Sequence, residues 1–102
     1  MSQIIREKEK LIIKPGQNLV ASIANSFRSE LHSLLQESPK ELIIDLGGVD
    51  IVDSVGIGII IAAHNSINKL GGKLKIVNIA KNTYDLFVTM RLNRHFILEP
   101  VK

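Results

Sequence analysis

The sequence of 102 residues lacks cysteine and tryptophan, and it contains only one tyrosine and three phenylalanines. Without cysteine the chain can form neither disulfide bonds nor thiolate metal sites, a composition compatible with the cytoplasm. Aromatic residues are few, and a chain of this length must bury most of its large apolar side chains, so the hydrophobic core must be aliphatic. Large apolar side chains that cannot face inward are therefore informative about function.

The chain also lacks a long apolar segment. Five consecutive charged residues occupy positions 6–10, where a secretory signal peptide needs an apolar run. No stretch approaches the roughly 20 apolar residues that cross a bilayer. We therefore expect a cytoplasmic protein with no direct membrane insertion.

Concentrated basic charge is absent as well. The net charge of +3 is spread along the chain, whereas a nucleic-acid-binding domain usually presents a basic stripe with stacking aromatic residues. The nearest approach is Arg91, Arg94 and His95 beside Phe96, which we interpret as a solvated helix end. We expect no nucleic-acid partner.

The hydrophobic pattern favours a single α/β domain over residues 1–102. Apolar periodicity and turn residues predict strands at 3–6, 10–14, 41–46, 73–77 and 96–98, and helices at 18–36, 54–70 and 82–91. Asn18 is the predicted N-cap of the first helix, and Tyr84, Leu86, Phe87 and Met90 are the predicted inner residues of the third. This alternation implies right-handed crossovers and a mixed, mostly parallel sheet of four to five strands.

The most informative segment is residues 53–58, with the sequence DSVGIG, where the third predicted strand is followed by the second helix. Ser54 then lies in the first helical turn, where unpaired N–H groups and a partial positive charge would tolerate a phosphate. Gly56 and Gly58 leave the backbone approachable. The pattern indicates that Ser54 is a residue that is modified, not one that catalyses.

A rotation of 100° per residue divides the second helix into two faces. One face is apolar and predicted to be buried: Val55, Ile59, Ile60, Ala63, Ile67 and Leu70. The opposite, polar face carries Ser54, Gly58, Asn65, Asn68 and Lys69. Ile57 and Ile61 fall within or beside the polar face, and an exposed apolar pair of this kind is typical of a docking surface. The alternative is that the third helix covers both isoleucines.

Ser54 lacks the surroundings of a hydrolase nucleophile. Val52 stands where the nucleophile-elbow motif needs a glycine. His64 lies ten residues along the same helix, about 15 Å from Ser54, and cannot act as its base. His32 and His95 could approach Ser54 only through the tertiary structure. We expect the protein not to be an enzyme.

Metal and cofactor sites are not indicated either. The three histidines lack the paired spacing of metal ligands. Gly56 and Gly58 form only a fragment of a dinucleotide-binding fingerprint, and no phosphate-loop motif is present. Asp45 and Asp50 are read more simply as a strand-end acid and a turn residue than as magnesium ligands. We expect no metal ion and no cofactor, although nucleotide binding stays an open alternative.

Residues 53–58, preceded by 42–49 (LIIDLGGV), resemble the signature of STAS domains, and more closely that of the anti-sigma-factor antagonists among them. The similarity continues through GGKL at 71–74, Leu86, Phe87 and Phe96, and so covers roughly residues 41–98. It implies one small α/β domain whose sheet is covered mainly on one side by three or more helices.

The resemblance also implies a role in bacterial partner switching. In that scheme the unphosphorylated domain binds a serine kinase of the histidine-kinase-like ATPase type that doubles as an anti-sigma factor. The kinase phosphorylates the serine after the motif aspartate, here Ser54, and a metal-dependent serine phosphatase restores the binding form. The predicted partner-binding residues are Asp53, Ser54, Ile57, Gly58, Ile61 and Asn65, with the flanking loop 49–52. The alternative is a constitutive scaffold or accessory subunit of a larger complex, such as a stressosome-type assembly or an ABC transporter.

The sequence departs from the family pattern at three positions. Val55 replaces a second hydroxyl residue, which leaves Ser54 as the one modifiable side chain of the motif. Arg91 stands where the third helix commonly ends in glycine. Asn18 lies near the place of an acid often found after the second strand, so any kinase recognition or nucleotide contact through that acid is in doubt.

Overall fold

A five-stranded mixed sheet forms the centre of the computed structural model, which describes residues 2–101. The strands are β1 (Gln3–Glu7), β2 (Lys10–Lys14), β3 (Glu41–Asp45), β4 (Lys73–Ile79) and β5 (Ile97–Pro100). The helices are α1 (Ala24–Leu35), α2 (Ser54–Lys69) and α3 (Lys81–Thr89), with short 3-10 turns at Ala21–Ile23 and Leu92–Arg94. Within these residues no helix combines the length and apolar character needed to cross a membrane.

The strands lie in sequence order, β1-β2-β3-β4-β5. β1 and β2 are antiparallel because a tight turn joins them, in which Glu9 adopts a left-handed conformation with φ of 63°. The remaining neighbours are parallel, since a helix connects each pair. This topology confirms the mixed, mostly parallel sheet predicted from the sequence.

One face of the sheet carries the core. Leu42 and Ile44 on β3 are fully buried, and their register partners on β2 and β4 are also aliphatic and buried. The facing helices contribute aliphatic side chains and Phe27 of α1 to the same cluster. The aliphatic core is therefore confirmed, with Phe27 and Phe87 as its fully buried aromatic side chains.

The first helix begins later than predicted. α1 begins at Ala24, after the 3-10 turn, and Asn18 is not its N-cap. Instead the Asn18 side-chain oxygen accepts hydrogen bonds from the N–H groups of Asp50 and Ile51, at 2.9 and 3.0 Å. These hydrogen bonds hold the segment after β2 against the loop before α2. Residues 18–20 therefore do not form the predicted first turn of the helix.

The inner face of α3 is narrower than predicted. Phe87 and Thr83 are buried, and Tyr84 is partly buried against the core. Leu86 and Met90, predicted to face inward, are 42% and 44% exposed. The prediction was wrong because this nine-residue helix packs inward mainly through Thr83 and Phe87, with Tyr84 beside them, which leaves positions 86 and 90 outside the buried stripe.

Candidate functional site at the N-terminus of helix α2

Asp53 is the N-cap of α2 and fixes the start of the helix. Its Oδ1 accepts hydrogen bonds from the N–H groups of Val55 and Gly56, both at 3.0 Å. Its Oδ2 accepts a third from the N–H of Ala21 at 3.1 Å. An aspartate that bridges the first helical turn and a neighbouring loop holds both in one position.

The same loop is tied to the approach to α2 through Leu19. The Leu19 N–H donates to the carbonyl of Ile51 at 2.9 Å, and the Asp53 N–H donates to the carbonyl of Leu19 at 3.1 Å. Leu19 and Val52 form a parallel bridge. The helix therefore begins from a rigid base, although residues 50–53 belong to no strand.

The two glycines of the motif have different roles. Gly56 is buried against the loop, and a Cβ at this position would lie 2.4 Å from the carbonyl oxygen of Leu19. A Cβ at Gly58 would meet nothing within 4 Å. The expectation that both glycines leave the backbone approachable is therefore wrong for Gly56, which is required for close packing, and is satisfied at Gly58.

Ser54 is the first residue of α2 and is exposed. Within residues 2–101 no group forms a hydrogen bond with its hydroxyl. The first-turn N–H groups, expected to be unpaired, are largely occupied: Val55 and Gly56 donate to the Asp53 side chain, and Ile57 donates to the Asp53 carbonyl. Ser54 is thus accessible to an enzyme, but the donors that would receive a phosphate are already used by Asp53.

The carboxylate of Asp53 dominates the electrostatics of the site. Hydrogen bonding from the Gly56 N–H holds the pKa of Asp53 below its usual range; the N–H groups of Ala21 and Val55 act in the same direction, and desolvation opposes them. Asp53 is therefore ionised at neutral pH. A negative charge stands permanently beside the Ser54 hydroxyl.

The apolar side chains around Ser54 are not those predicted. Ile57 is 6% exposed and belongs to the core, whereas Val55, predicted to be buried, is 38% exposed. Leu70, also predicted to be buried, is 50% exposed at the end of the helix. The cause is the contact at Gly56: the loop pressed against this residue turns the buried face of the first turn toward positions 56 and 57. Ile59, Ile60, Ala63 and Ile67 are buried as predicted.

Ile51 is the most exposed apolar residue beside the site, at 54%. It lies in the loop 49–52 that was predicted to flank the interface, between Val49 and Val52, which are buried at 3% and 6%. No pattern in the sequence of residues 49–52 distinguishes Ile51 from its buried neighbours, so its exposure follows only from the structure. Ile51 and Val55 together frame Ser54.

The remaining predicted residues follow α2 away from Ser54. Gly58 and Asn65 are exposed, and Ile61 is half-buried against the core. At spacings of four, seven and eleven residues from Ser54, these three form one stripe along the helix. Ile61 lines a cavity with Leu92 and neighbouring residues of the segment after α3. The alternative, that the third helix covers both isoleucines, is met only in part: Ile57 is buried, but Ile61 is half-buried and the residues of this cavity outside α2 lie after the third helix. We give the name Ser54 surface to the half-buried Asp53 and the exposed residues Ile51, Ser54, Val55, Gly58 and Asn65.

His64, His95 and Asp45 have neighbours of their own that do not belong to the Ser54 surface. The rings of His64 and His95 are 6.1 Å apart, with Phe96 beside His64 at 5.2 Å and buried. Asp45 accepts hydrogen bonds from the Gly47 N–H and the Asn78 side chain, as befits a strand-end acid. Across residues 2–101 no three histidine or acidic side chains are grouped as a metal site.

Comparison with known proteins gives a consistent family and fold. The family model of the STAS domain matches residues 2–102. No curated protein matches the sequence. An anti-sigma factor antagonist from Mycobacterium paratuberculosis has a TM-score of 0.87 at 21% identity, over 98% of this chain and 85% of its own. An anti-sigma-factor antagonist domain protein from Planctomyces limnophilus has a TM-score of 0.84 at 14% identity, over 99% and 91%.

The Bacillus cell fate determinant SpoIIAA is similar to this chain in its phosphorylated form, with a TM-score of 0.76 at 14% identity, over 96% of this chain and 90% of its own. The unphosphorylated SpoIIAA, an anti-sigma factor antagonist, gives the same TM-score over 86% of its length. At these identities the likeness establishes the fold, and the family model covers almost the whole sequence. The chain belongs to the STAS domain family.

Proposed function

We propose that this chain is a phosphorylation-controlled partner-switching regulator of the anti-sigma-factor antagonist type, acting in a bacterial cytoplasm. With Ser54 unphosphorylated, it binds a serine kinase of the histidine-kinase-like ATPase type that serves as an anti-sigma factor. Phosphorylation of Ser54 releases the kinase, and a metal-dependent serine phosphatase reverses the modification. The chain is the substrate of these enzymes and carries out no catalysis itself.

The observation that carries this proposal is the position of Ser54. Its hydroxyl is exposed and unengaged at the start of α2, while Asp53 beside it is fixed by three hydrogen bonds. A kinase can reach this hydroxyl without unfolding the helix. The hydrogen bonds that fix the start of the helix use Asp53 and not the Ser54 hydroxyl, so modification of the serine breaks none of them, which suits a reversible modification.

The physical consequence of modification supports a switch. A phosphate adds about −1.5 to −2 charges and three strong acceptor oxygens. At Ser54 it would lie beside the ionised Asp53 and between the exposed Ile51 and Val55. Free in water the phosphate is hydrated, but a partner covering the Ser54 surface would have to strip that water. A penalty of about 3 kcal/mol would weaken binding roughly 100-fold.

The Ser54 surface offers a partner both apolar and polar contacts. Ile51 and Val55 provide apolar anchors, while Gly58 lets a partner's backbone approach the helix. Asn65 adds a polar group about 16 Å along the axis from Ser54, at about 1.5 Å per residue. An interface built from one helical stripe and a loop is suited to an association that is made and broken repeatedly.

The proposal is tested by binding and phosphorylation with a serine kinase of the histidine-kinase-like ATPase type from the native host, sought first among the genes beside that of this chain. We expect Ser54→Ala to bind the kinase like the wild type and to accept no phosphate, and Ser54→Asp to bind at least about tenfold more weakly. Ser66→Asp is the matched control, since Ser66 is exposed on another face of the same helix.

The outcome decides between the switch and its alternative. Loss of binding in Ser54→Asp with retention in Ser66→Asp supports the switch. If Ser54→Asp binds the kinase like the wild type, the switch is wrong and a constitutive scaffold or accessory subunit becomes the better account.

A further inference from the structure

The sheet has a second face, opposite to the core. Pairing in register aligns one residue from each strand in a row across all five strands: Ile5, Ile12, Ile43, Lys75 and Ile97. Paired residues point to the same side of a sheet, and neighbours along a strand alternate. This apolar row therefore lies on the side away from Leu42 and Ile44, and so away from the helices.

The four isoleucines of the apolar row lie outside the core cluster between the sheet and the helices. None belongs to the cluster that joins the sheet to the helices or packs against it from the side. Ile5 and Ile97, on the edge strands, are 37% and 54% exposed. Ile12 is half-buried, and Ile43, on the central strand, is only 8% exposed. Within residues 2–101 the second face is thus an open, largely apolar band.

A row of alternating charge runs beside the apolar row. Glu7, Lys10, Glu41 and Lys73 are register partners across β1 to β4, on the same face. Lys10 lies 3.9 Å from Glu7 and 3.8 Å from Glu41. The signs run negative, positive, negative, positive. A row of this kind, read in reverse, has the opposite charge at every position.

We propose that this open face binds a second copy of this chain, face to face, about a two-fold axis that runs parallel to the strands between β2 and β3. The rotation reverses the ionic row, so that Glu7 of each copy faces Lys73 of the other and Lys10 faces Glu41. All four pairs of facing charges are opposite in sign. A symmetric interface requires this self-complementarity, and a row of uniform charge would prevent it.

The same rotation aligns the apolar rows. Ile12 of one copy meets Ile43 of the other, and Ile5 meets the aliphatic stem of Lys75, whose ammonium group turns to Glu99 at 3.0 Å. Sheets pack face to face about 10 Å apart, which suits interdigitating isoleucines. The contact therefore combines an apolar row with an ionic row along one side of it.

The size of the face sets the strength of the dimer. Four overlapping strands, about 4.8 Å apart and about 16 Å long, cover about 300 Å² of each copy. This is less than the roughly 800 Å² per partner of a standard stable interface. The dimer is therefore weak and forms only at high protein concentration. Helix α2 lies on the other side of the sheet, so both copies keep an accessible Ser54 surface.

Sedimentation equilibrium with charge-reversed variants tests the pairing. The wild type is expected to approach twice its 11.3 kDa mass as concentration rises. Lys10→Glu and Glu41→Lys each place two like charges face to face, and each alone should dimerise at least about tenfold more weakly. An equimolar mixture of the two variants restores every opposite pair and should dimerise within about threefold of the wild type.

Ile5→Lys tests the apolar row, with Leu70→Lys as the matched control. Both residues are exposed, but Leu70 lies at the end of α2 on the helical side. We expect dimerisation to be lost in Ile5→Lys and kept in Leu70→Lys, with melting temperatures near that of the wild type. A wild type that stays at 11.3 kDa up to about 1 mM would overturn the proposal. A mixture of charge variants that remains monomeric would overturn it equally. Kinase binding by the Ser54 variants is not involved in either result.

Discussion

A Cβ atom on residue 56 would lie 2.4 Å from the carbonyl oxygen of Leu19, so Gly56 and Leu19 are in contact at the closest approach that the backbone permits. This contact holds the loop after β2 against the first turn of α2. It also determines which side of that turn faces the core. Burial of Ile57 and exposure of Val55 both follow from it.

We predict that Gly56→Ala destabilises the protein by about 2–3 kcal/mol, because α2 must move away from a backbone oxygen that cannot rotate aside. Gly58→Ala is the matched control: it meets no atom within 4 Å and should stabilise α2 by about 0.5–1 kcal/mol through helix propensity. Urea unfolding of both variants gives the two values. Equal effects at the two positions would contradict the close contact.

A second pair of variants separates core from surface in the first turn of α2. Ile57→Ala should lower the free energy of unfolding by about 2–5 kcal/mol, because it leaves a cavity in the core. Val55→Asp should change stability by no more than about 0.5 kcal/mol and weaken kinase binding, because Val55 is part of the Ser54 surface. Chemical unfolding and calorimetric titration with the kinase measure the two properties. Ile61 is a poorer probe than the sequence suggested, because its half-buried side chain contributes to both.

The lowered pKa of Asp53 predicts a dependence of stability on pH. The ionised carboxylate is preferred in the folded state, so its contribution is fully present above the unfolded pKa of about 3.9. That contribution is lost as the pH falls through the lower folded pKa. In the variant Asp53→Asn the side-chain amide does not titrate. The difference in unfolding free energy between the wild type and Asp53→Asn should therefore shrink as the pH falls below about 4.

Urea unfolding between pH 7 and pH 2 measures this difference. Glu37, whose pKa is lowered by its hydrogen bond to Arg6, titrates in both proteins and cancels. A difference that stays constant down to pH 2 would show that Asp53 acts as a cap without an electrostatic contribution.

Arg91 predicts a stabilising substitution. It follows α3 in a left-handed conformation with φ of 63°, at an exposed position. Arg91→Gly should raise the free energy of unfolding by about 1 kcal/mol, because glycine adopts this conformation without a Cβ penalty. Arg91→Ala keeps the Cβ and should not stabilise. A gain in both variants would instead locate the cost in the arginine side chain.

Much of the fold could be predicted because its strands and helices follow from local sequence patterns of apolar, turn and capping residues. The Lys10–Lys14 and Glu41–Asp45 strands are short apolar runs bounded by turn residues, and the start of α2 at Ser54 is set by the adjacent capping aspartate. The family motif is local in the same way, and the site it predicts around Ser54 stays a prediction. The details that failed are tertiary. Asn18 accepts hydrogen bonds from the loop before α2, so it is not available as a helix cap. The close contact between Leu19 and Gly56 places Gly56 on the buried side of the first turn of α2. A helical wheel of α2 alone contains neither contact.

Reversible phosphorylation of Ser54 leaves a change in mass that can be measured directly. The most direct test is the intact mass of the protein purified from its native host across growth conditions, with peptide mapping around Ser54 and treatment with a metal-dependent serine phosphatase. The account predicts a species heavier by about 80 Da, the mass of one phosphate group, located on Ser54 and removed by the phosphatase. Absence of phosphate under every condition, or its attachment to another residue, would contradict the account.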